Sequence, residues 1–270
     1  MRRIAHISDI HFGMANDAVA ERLAEKINEV SPDLVVVSGD LTQRARQKQF
    51  AEARRFLDQL PMPQIVVPGN HDVPLYNVVR RFAAPLAHFK KFITSDMFPF
   101  HADDEMAVIG INTARSLTIK SGRIGKEQVE IIREKLCGLD KNLAKIIVTH
   151  HPLDLPVGID EDAIVGRAKT FMPQIAECGA DIFLSGHLHV SSITNSAHRY
   201  RLESGRSALI IQAGTAASTR ERGEANSFNV IDLERPFLTV KRFECRSETN
   251  GFVLATSEQF TQTERGWSRM

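Results

Sequence analysis

Five short apolar runs in this chain each stop at a cluster of Asp, Asn or His. Arg3–Ser8 is followed by Asp9-Ile10-His11, and the β-branched run Leu34–Ser38 by Gly39-Asp40. Gln64–Val67 leads to Gly69-Asn70-His71-Asp72, Ala144–Thr149 to His150-His151, and Asp181–Ser185 to Gly186-His187-Leu188-His189. A continuous apolar run such as Leu34–Ser38 is the mark of a strand buried on both faces. Helical patterns lie between the runs, at Asp17–Val30, about Arg46–Leu60, from near Pro74, at Lys126–Leu136 and up to Cys178, with a further strand at Met106–Ile111. In open α/β sheets ligands bind in the crevice beyond the carboxyl ends of the strands. Five clusters at that edge converge on one site.

The last third has a different rhythm. Ser207–Ala213, Phe228–Leu233 and Phe237–Phe243 read as strands joined by short turns without helices. Regular βαβα early and a β-meander late predict two packed sheets, one of them largely antiparallel, with helices outside. Residues 1–256 read as one domain, and the polar, aperiodic stretch 257–270 as a C-terminal tail that is mobile or packs on a partner subunit. Asn112–Gly125 and Pro152–Gly166, rich in Gly and Pro, read as lids over the site.

A chain of 270 residues buries enough surface to fold without a structural metal or disulfide, so a metal here would serve chemistry. Lys and Arg number 34 against 33 Asp and Glu, a balance that argues against a nucleic-acid partner. Cys137, Cys178 and Cys245 are far apart and in no CxxC pair, and read as buried reduced thiols of a cytoplasmic protein. No apolar run reaches the roughly 18 residues of a membrane span. No apolar signal core follows the basic N-terminus. The C-terminal strands and tail offer a surface for a homodimer contact.

Imidazole, carboxylate and amide oxygen together suit Mn, Fe, Zn or Co, and no cysteine enters any cluster. A bridging Asp with ligands enough for two sites points to a metal pair about 3.5–4 Å apart, the arrangement that clamps both oxygens of an in-line displacement at phosphorus. The glycines before Asp40, Asn70 and His187 predict tight turns with positive φ.

In order and spacing, Asp-x-His, Gly-Asp, Gly-Asn-His-Asp, His and Gly-His-x-His resemble the calcineurin-like metallophosphoesterase superfamily. Ile-Ser-Asp-Ile-His and His150-His151-Pro152 are similar to its bacterial class III cyclic-nucleotide phosphodiesterases. The resemblance implies a four-layer α/β/β/α sandwich of two mixed sheets. It implies that Asp9, His11 and His189 hold one metal, that Asn70, His150 and His187 hold the other, and that Asp40 bridges them. It assigns His71 to the substrate phosphate as a non-ligand acid and Asp72 to orienting that imidazole. The implied reaction is hydrolysis of a small-molecule phosphodiester by metal-bound hydroxide, with a 3′,5′-cyclic nucleotide as the leading substrate. Another diester, a pyrophosphate or a monoester would present the same phosphoryl group, and a nuclease or a non-catalytic scaffold would share the fold.

His6 reads as a packed core residue and His88, His101 and His198 as surface positions. His151 is open between pocket and packing. Arg220 and Arg222 are open between substrate phosphate and solvated turn. Lys90-Lys91 and Arg44–Lys48 read as exposed helix faces.

Overall fold

The computed structural model describes residues 1–155, 163–196, 207–219, 224–246, 248 and 251–270. Its elements run β1 (Arg2–Ile7), α1 (Asp17–Val30), β2 (Leu34–Val37), α2 (Gln47–Leu57), β3 (Gln64–Val66), α3 (Val78–Ala83), α4 (Ala87–Phe92), β4 (Phe100–Ala102) and β5 (Met106–Ile111). They continue with α5 (Lys126–Leu136), β6 (Ala144–Thr149), α6 (Ala168–Glu177), β7 (Ala180–Ser185), β8 (Ser192–Asn195) and β9 (Leu209–Gln212). The chain closes with β10 (Ser227–Glu234), β11 (Phe237–Arg246), β12 (Gly251–Thr263) and β13 (Gly266–Arg269).

The strands form two mixed sheets. One has the order β13-β12-β11-β10-β1-β2-β3, the other β4-β5-β6-β7-β9-β8. Strands β1, β2 and β3 pair in parallel, as do β5, β6, β7 and β9, so their carboxyl ends lie along one edge of each sheet. Residue parity fixes the layers, because successive side chains in a strand point to opposite faces. Ile4, Leu34 and Val36 share an apolar cluster with Val108, Ile146, Val148, Ile182 and Leu184, which is the core between the sheets. Ala5, Ile7, Val35 and Val37 face the other way, onto Leu23 and Ile27 of α1 and Phe50 and Ala53 of α2. On the far side, Ile109, Ile147 and Phe183 meet Val129 and Ile132 of α5 and Phe171 and Ile175 of α6. These are the four layers α/β/β/α that the resemblance implied.

Lys145 occupies an outward position of β6, where its Nζ donates to the carbonyls of Leu136, Leu139 and Cys178. One buried ammonium thus satisfies the C-terminal carbonyls of both α5 and α6, where a helix favours positive charge. His6 is fully buried between the sheets with Nε2 2.9 Å from Ser38 Oγ, and burial pushes its pKa down to about 3. It is the core histidine that its strand position predicted.

Several expectations are corrected. Residues 257–270 are not a tail: they complete β12 and form β13, and Trp267 is 1% exposed in the inter-sheet core. The segment is polar because one face of this antiparallel extension is solvated, and only positions such as Phe260 turn inward. The helix expected from Pro74 is two short helices, α3 and α4, separated at Pro85. Cys137 and Cys178 are joined in a disulfide rather than reduced, since each ends one of two packed helices and their Cα atoms lie 4.2 Å apart. Cys245 remains a free thiol, half-buried. The short strands β4 and β8 had no distinct pattern in the sequence.

Candidate metal centre

Each expected ligand lies in the turn that leaves a parallel strand, and the turns are laced together. Asp9 N donates to Gly39 O (3.1 Å), His11 N to Asp40 O (3.0 Å) and Gly186 N to His150 O (3.1 Å). Among the described residues eight non-glycine residues have positive φ, and five of them are Asp9 (54°), His11 (56°), Asp40 (51°), His187 (77°) and His189 (62°). A left-handed backbone costs a non-glycine residue about 1 kcal/mol or more and persists only where its surroundings impose it. The concentration at these five positions marks a strained, over-determined site.

The sequence predicted that strain for the neighbouring glycines, and only Gly39 has it (φ 95°). Gly69 and Gly186 serve close approach instead. A Cβ on Gly69 would lie 2.1 Å from Asp40 Oδ1, and one on Gly186 would lie 1.8 Å from Ser8 Oγ and 2.5 Å from Asp9 Oδ2.

The side chains form two trios. In the first, Asp9 Oδ1 lies 3.6 Å from His11 Nε2 and 3.5 Å from His189 Nε2. In the second, Asn70 Oδ1 lies 3.0 Å from His150 Nε2 and 3.1 Å from His187 Nδ1. Asp40 Oδ2 lies between them, 3.7 Å from His11 Nε2 and 3.4 Å from His150 Nε2. All seven residues named from the sequence are brought together.

Metal fits this donor set. Asp9 Oδ1 and His11 Nε2 are buried without a hydrogen-bond partner, a costly state unless a cation lies among them. His150 Nδ1 donates to Ser38 O at 2.8 Å, which leaves the Nε2 lone pair facing the oxygens of Asn70 and Asp40. Burial alone would lower the His150 pKa, but the adjacent Asp40 carboxylate reverses this and holds it at about 9. The pocket therefore draws positive charge, as a proton or as a metal ion. Burial and then His150 push His187 down to about 4, so it is a neutral imidazole. Against the cost of burial, the surrounding imidazoles keep Asp9 and Asp40 below the usual carboxylate range, led by His11 for Asp9 and His150 for Asp40.

Further groups orient these side chains. Ser8 Oγ donates to Asp9 Oδ2 at 2.6 Å and His187 N donates to the same oxygen at 2.9 Å. Thr215 Oγ1 meets His189 Nδ1 at 2.7 Å. The sequence reading gave no role to Ser8, which it quoted only within Ile-Ser-Asp-Ile-His, nor to the Ser38 carbonyl or Thr215.

His71 donates its backbone N–H to Asp40 Oδ1 (2.8 Å) and its ring Nδ1–H to Gln43 O (3.0 Å). The orienting group of that ring is therefore the Gln43 carbonyl and not Asp72, a correction to the sequence reading. Asp72 is committed to the turns. Its oxygens accept from Gly69 N (2.9 Å), Leu41 N (3.2 Å), Thr42 N (2.9 Å) and Thr42 Oγ1 (2.9 Å). Burial, then the charge of Asp40, pushes Asp72 up to about 6 against those hydrogen bonds. It locks the Asp40 turn to the Asn70 turn.

His71 and Asn70 form one end of a cleft of about 200 Å³ whose other walls include Arg44, Val73, Leu75, Ile119 and Lys120. Arg44 thus leaves the exposed helix face expected for it, with its guanidinium 5.3 Å from the Tyr76 ring, while Arg46, Lys48, Lys90 and Lys91 are exposed. His151 is buried, its Nδ1 2.8 Å from Thr113 Oγ1 and its ring 4.5 Å from that of His187. His88 and His101 are half-buried rather than exposed. Loops 112–125 and 152–166 are tied by Gly166 N donating to Gly122 O (2.8 Å). Residues 156–162 of the second loop, His198, Arg220 and Arg222 lie outside the described residues.

A sequence model of the calcineurin-like phosphoesterases matches residues 2–191. A glycerophosphodiester phosphodiesterase of Enterobacter lignolyticus is 35% identical over 80 residues, 26% of this chain and 29% of that relative, so the match spans under a third of the relative. A Synechococcus protein named "Probable cyclic nucleotide phosphodiesterase" is 25% identical over 204 residues, 70% of this chain and 74% of its own. A dimetal phosphatase from Danio rerio superposes with a TM-score of 0.62 at 13% identity, covering 94% of this chain and 98% of that one, a likeness of fold. The family match takes in every turn that carries the two trios and Asp40, and on that ground the chain belongs to the calcineurin-like phosphoesterase family.

Proposed function

We propose that this protein hydrolyses a phosphodiester at a pair of metal ions, with a 3′,5′-cyclic nucleotide as the leading substrate. The observation that carries the reading is Asp40 Oδ2 within 3.7 Å of an imidazole nitrogen in each trio, which puts this carboxylate within reach of both ions. Asp9, His11 and His189 would hold one ion, and Asn70, His150 and His187 the other, drawn from Mn, Fe, Zn or Co. When bound, the ions supply Lewis acidity toward the phosphoryl oxygens and lower the pKa of water.

The protein's own groups do the rest. The His71 ring donates Nδ1–H to Gln43 O, and in its doubly protonated form it would give the Nε2 proton to the leaving oxygen as its bond to phosphorus breaks. The cleft beside His71 and Asn70 takes the body of the leaving group against Val73, Leu75 and Ile119, with Arg44 and Lys120 at its walls. Diester chemistry is favoured because both named relatives are phosphodiesterases. The cyclic-nucleotide reading rests on the one whose match covers most of its own length.

The test is metal analysis of the purified protein beside turnover of bis-p-nitrophenyl phosphate, p-nitrophenyl phosphate and 3′,5′-cyclic AMP with Mn²⁺. Two ions per chain with faster cleavage of the diesters is the expected result. Turnover of another ester with none of cyclic AMP would overturn the substrate assignment.

A further inference from the structure

Large apolar side chains exposed to solvent are concentrated at the mouth of the cleft. Among the described residues, six of the twelve such side chains are Tyr76, Val78, Val79, Phe82, Leu117 and Ile119. They lie in two segments only, 73–84 and 112–126. Arg81 clips those segments together: its buried guanidinium donates to Pro74 O (2.9 Å), Ser116 O (2.6 Å) and Thr118 O. The apolar tips therefore stand on a braced platform rather than on two independent loops. A monomer gains nothing from presenting Val79 at 79% and Leu117 at 86% exposure beside its active site, and patches of this kind mark interaction surfaces.

Charge says what kind. Besides the buried Arg81, segment 73–84 contains Arg80 and segment 112–126 contains Arg115, Lys120, Arg123 and Lys126, five cations in all, with no Asp or Glu in either segment. The whole chain is balanced to within one charge, so the asymmetry is local. Segments that pair exposed aliphatic tips with Lys and Arg and carry no carboxylate of their own have the composition of a surface that seats in an anionic lipid interface. A second copy of the chain fits poorly, because a self-complementary contact would set this cationic face against itself. No helix among the described residues is long and apolar enough to cross a membrane, so the contact is peripheral.

We propose that segments 73–84 and 112–126 dock the mouth of the active site onto an anionic lipid surface. Val78, Val79, Phe82 and Leu117 enter the headgroup region and the cations meet lipid phosphates. Docking does not depend on which phosphoester is cleaved.

The experiment is flotation of the metal-loaded protein with vesicles of phosphatidylglycerol in phosphatidylcholine, and with pure phosphatidylcholine. The wild type should float with the anionic vesicles, far less with the neutral ones, and less as salt rises. Val79→Asp with Leu117→Asp replaces two exposed tips outside the cleft, and should lower the bound fraction by about ten-fold or more. The melting temperature and turnover of soluble bis-p-nitrophenyl phosphate should stay unchanged. A wild type that stays in solution with anionic vesicles overturns the proposal, as does a double variant that floats equally well. A concentration-dependent dimer that the same double variant dissolves overturns it in favour of a second copy.

Discussion

Alanine at Gly186 is a sharp probe of how rigidly the trio of Asp9, His11 and His189 is held. Its Cβ would sit 1.8 Å from Ser8 Oγ and 2.5 Å from Asp9 Oδ2, both fully buried. Ordinary contact needs about 3.4 Å, so one side must retreat by roughly 1.5 Å in an interior packed as densely as a crystal. Ser8 Oγ cannot move freely, since it is held to Asp9 Oδ2 at 2.6 Å and to Ser38 O at 3.1 Å. Nor can Gly186, whose N donates to His150 O and whose O accepts from Gln212 Nε2, both at 3.1 Å. Overpacking costs about 1–3 kcal/mol. Losing one hydrogen bond to a buried carboxylate adds about 1.5–3 kcal/mol. Together they give about 3–5 kcal/mol, or roughly a 10 °C fall in melting temperature for a domain of this size. Gly138 provides the control, because a Cβ there meets nothing within 4 Å, and alanine should change stability by less than about 1 kcal/mol. Urea unfolding of the chelated proteins measures the cost, and metal analysis after reloading measures the displacement of Asp9. Gly186→Ala should bind about half of the wild-type metal. A variant that melts within about 1 °C of wild type and reloads fully would refute the rigid clamp of Ser8, Asp9 and His187.

Asp40→Asn should lower bound metal at both sites and abolish turnover, and unchanged metal content would remove Asp40 as the bridge. His71→Ala should retain metal while losing about 10²–10⁴-fold in rate; loss of metal instead would make His71 a ligand. Lys145→Met should destabilise by about 2–4 kcal/mol in urea unfolding and leave turnover intact, since it frees three carbonyls at the ends of α5 and α6 far from the chemistry. The pH dependence of the metal-free protein follows from His150. Its folded pKa of about 9 exceeds the ordinary histidine value of 6.5, so the stabilisation is complete below about 6.5 and is lost as pH rises through about 9. Chelated protein should therefore lose up to about 3 kcal/mol between those limits. Metal-loaded protein, in which the ion has replaced that proton, should not; parallel curves for the two forms would count against the assignment.

Much of the centre was legible because its information is local. A β-branched run such as Leu34–Val37 commits itself to a strand, and parallel strands in layered sheets bring their carboxyl ends to a common edge. Naming the seven candidate ligands therefore needed only the residues that follow each run. The reading failed where a partner is remote. Asp72 follows His71 in sequence, yet its carboxylate is taken by Leu41 and Thr42, about thirty positions away, and the imidazole turns to Gln43. Residues 257–263 look like a tail until β11 and β13 lie on either side of them. The disulfide between Cys137 and Cys178 exists because two helix ends meet across a separation of 41 residues.

By itself, then, the sequence determined which residues stand at the strand ends and what chemistry their side chains carry. Only the tertiary structure decided how they are divided and held. Asp9 reaches His187 N across 178 positions, and His150 reaches Ser38 O across 112. Those contacts accompany left-handed backbone at five of these residues, a conformation that costs a non-glycine residue energy. The physical reason is that side-chain chemistry and strand propensity are properties of neighbouring residues. Hydrogen-bond partners, exclusion of a Cβ and the placing of Asp40 between two trios depend on segments that become neighbours only when the sheets pack.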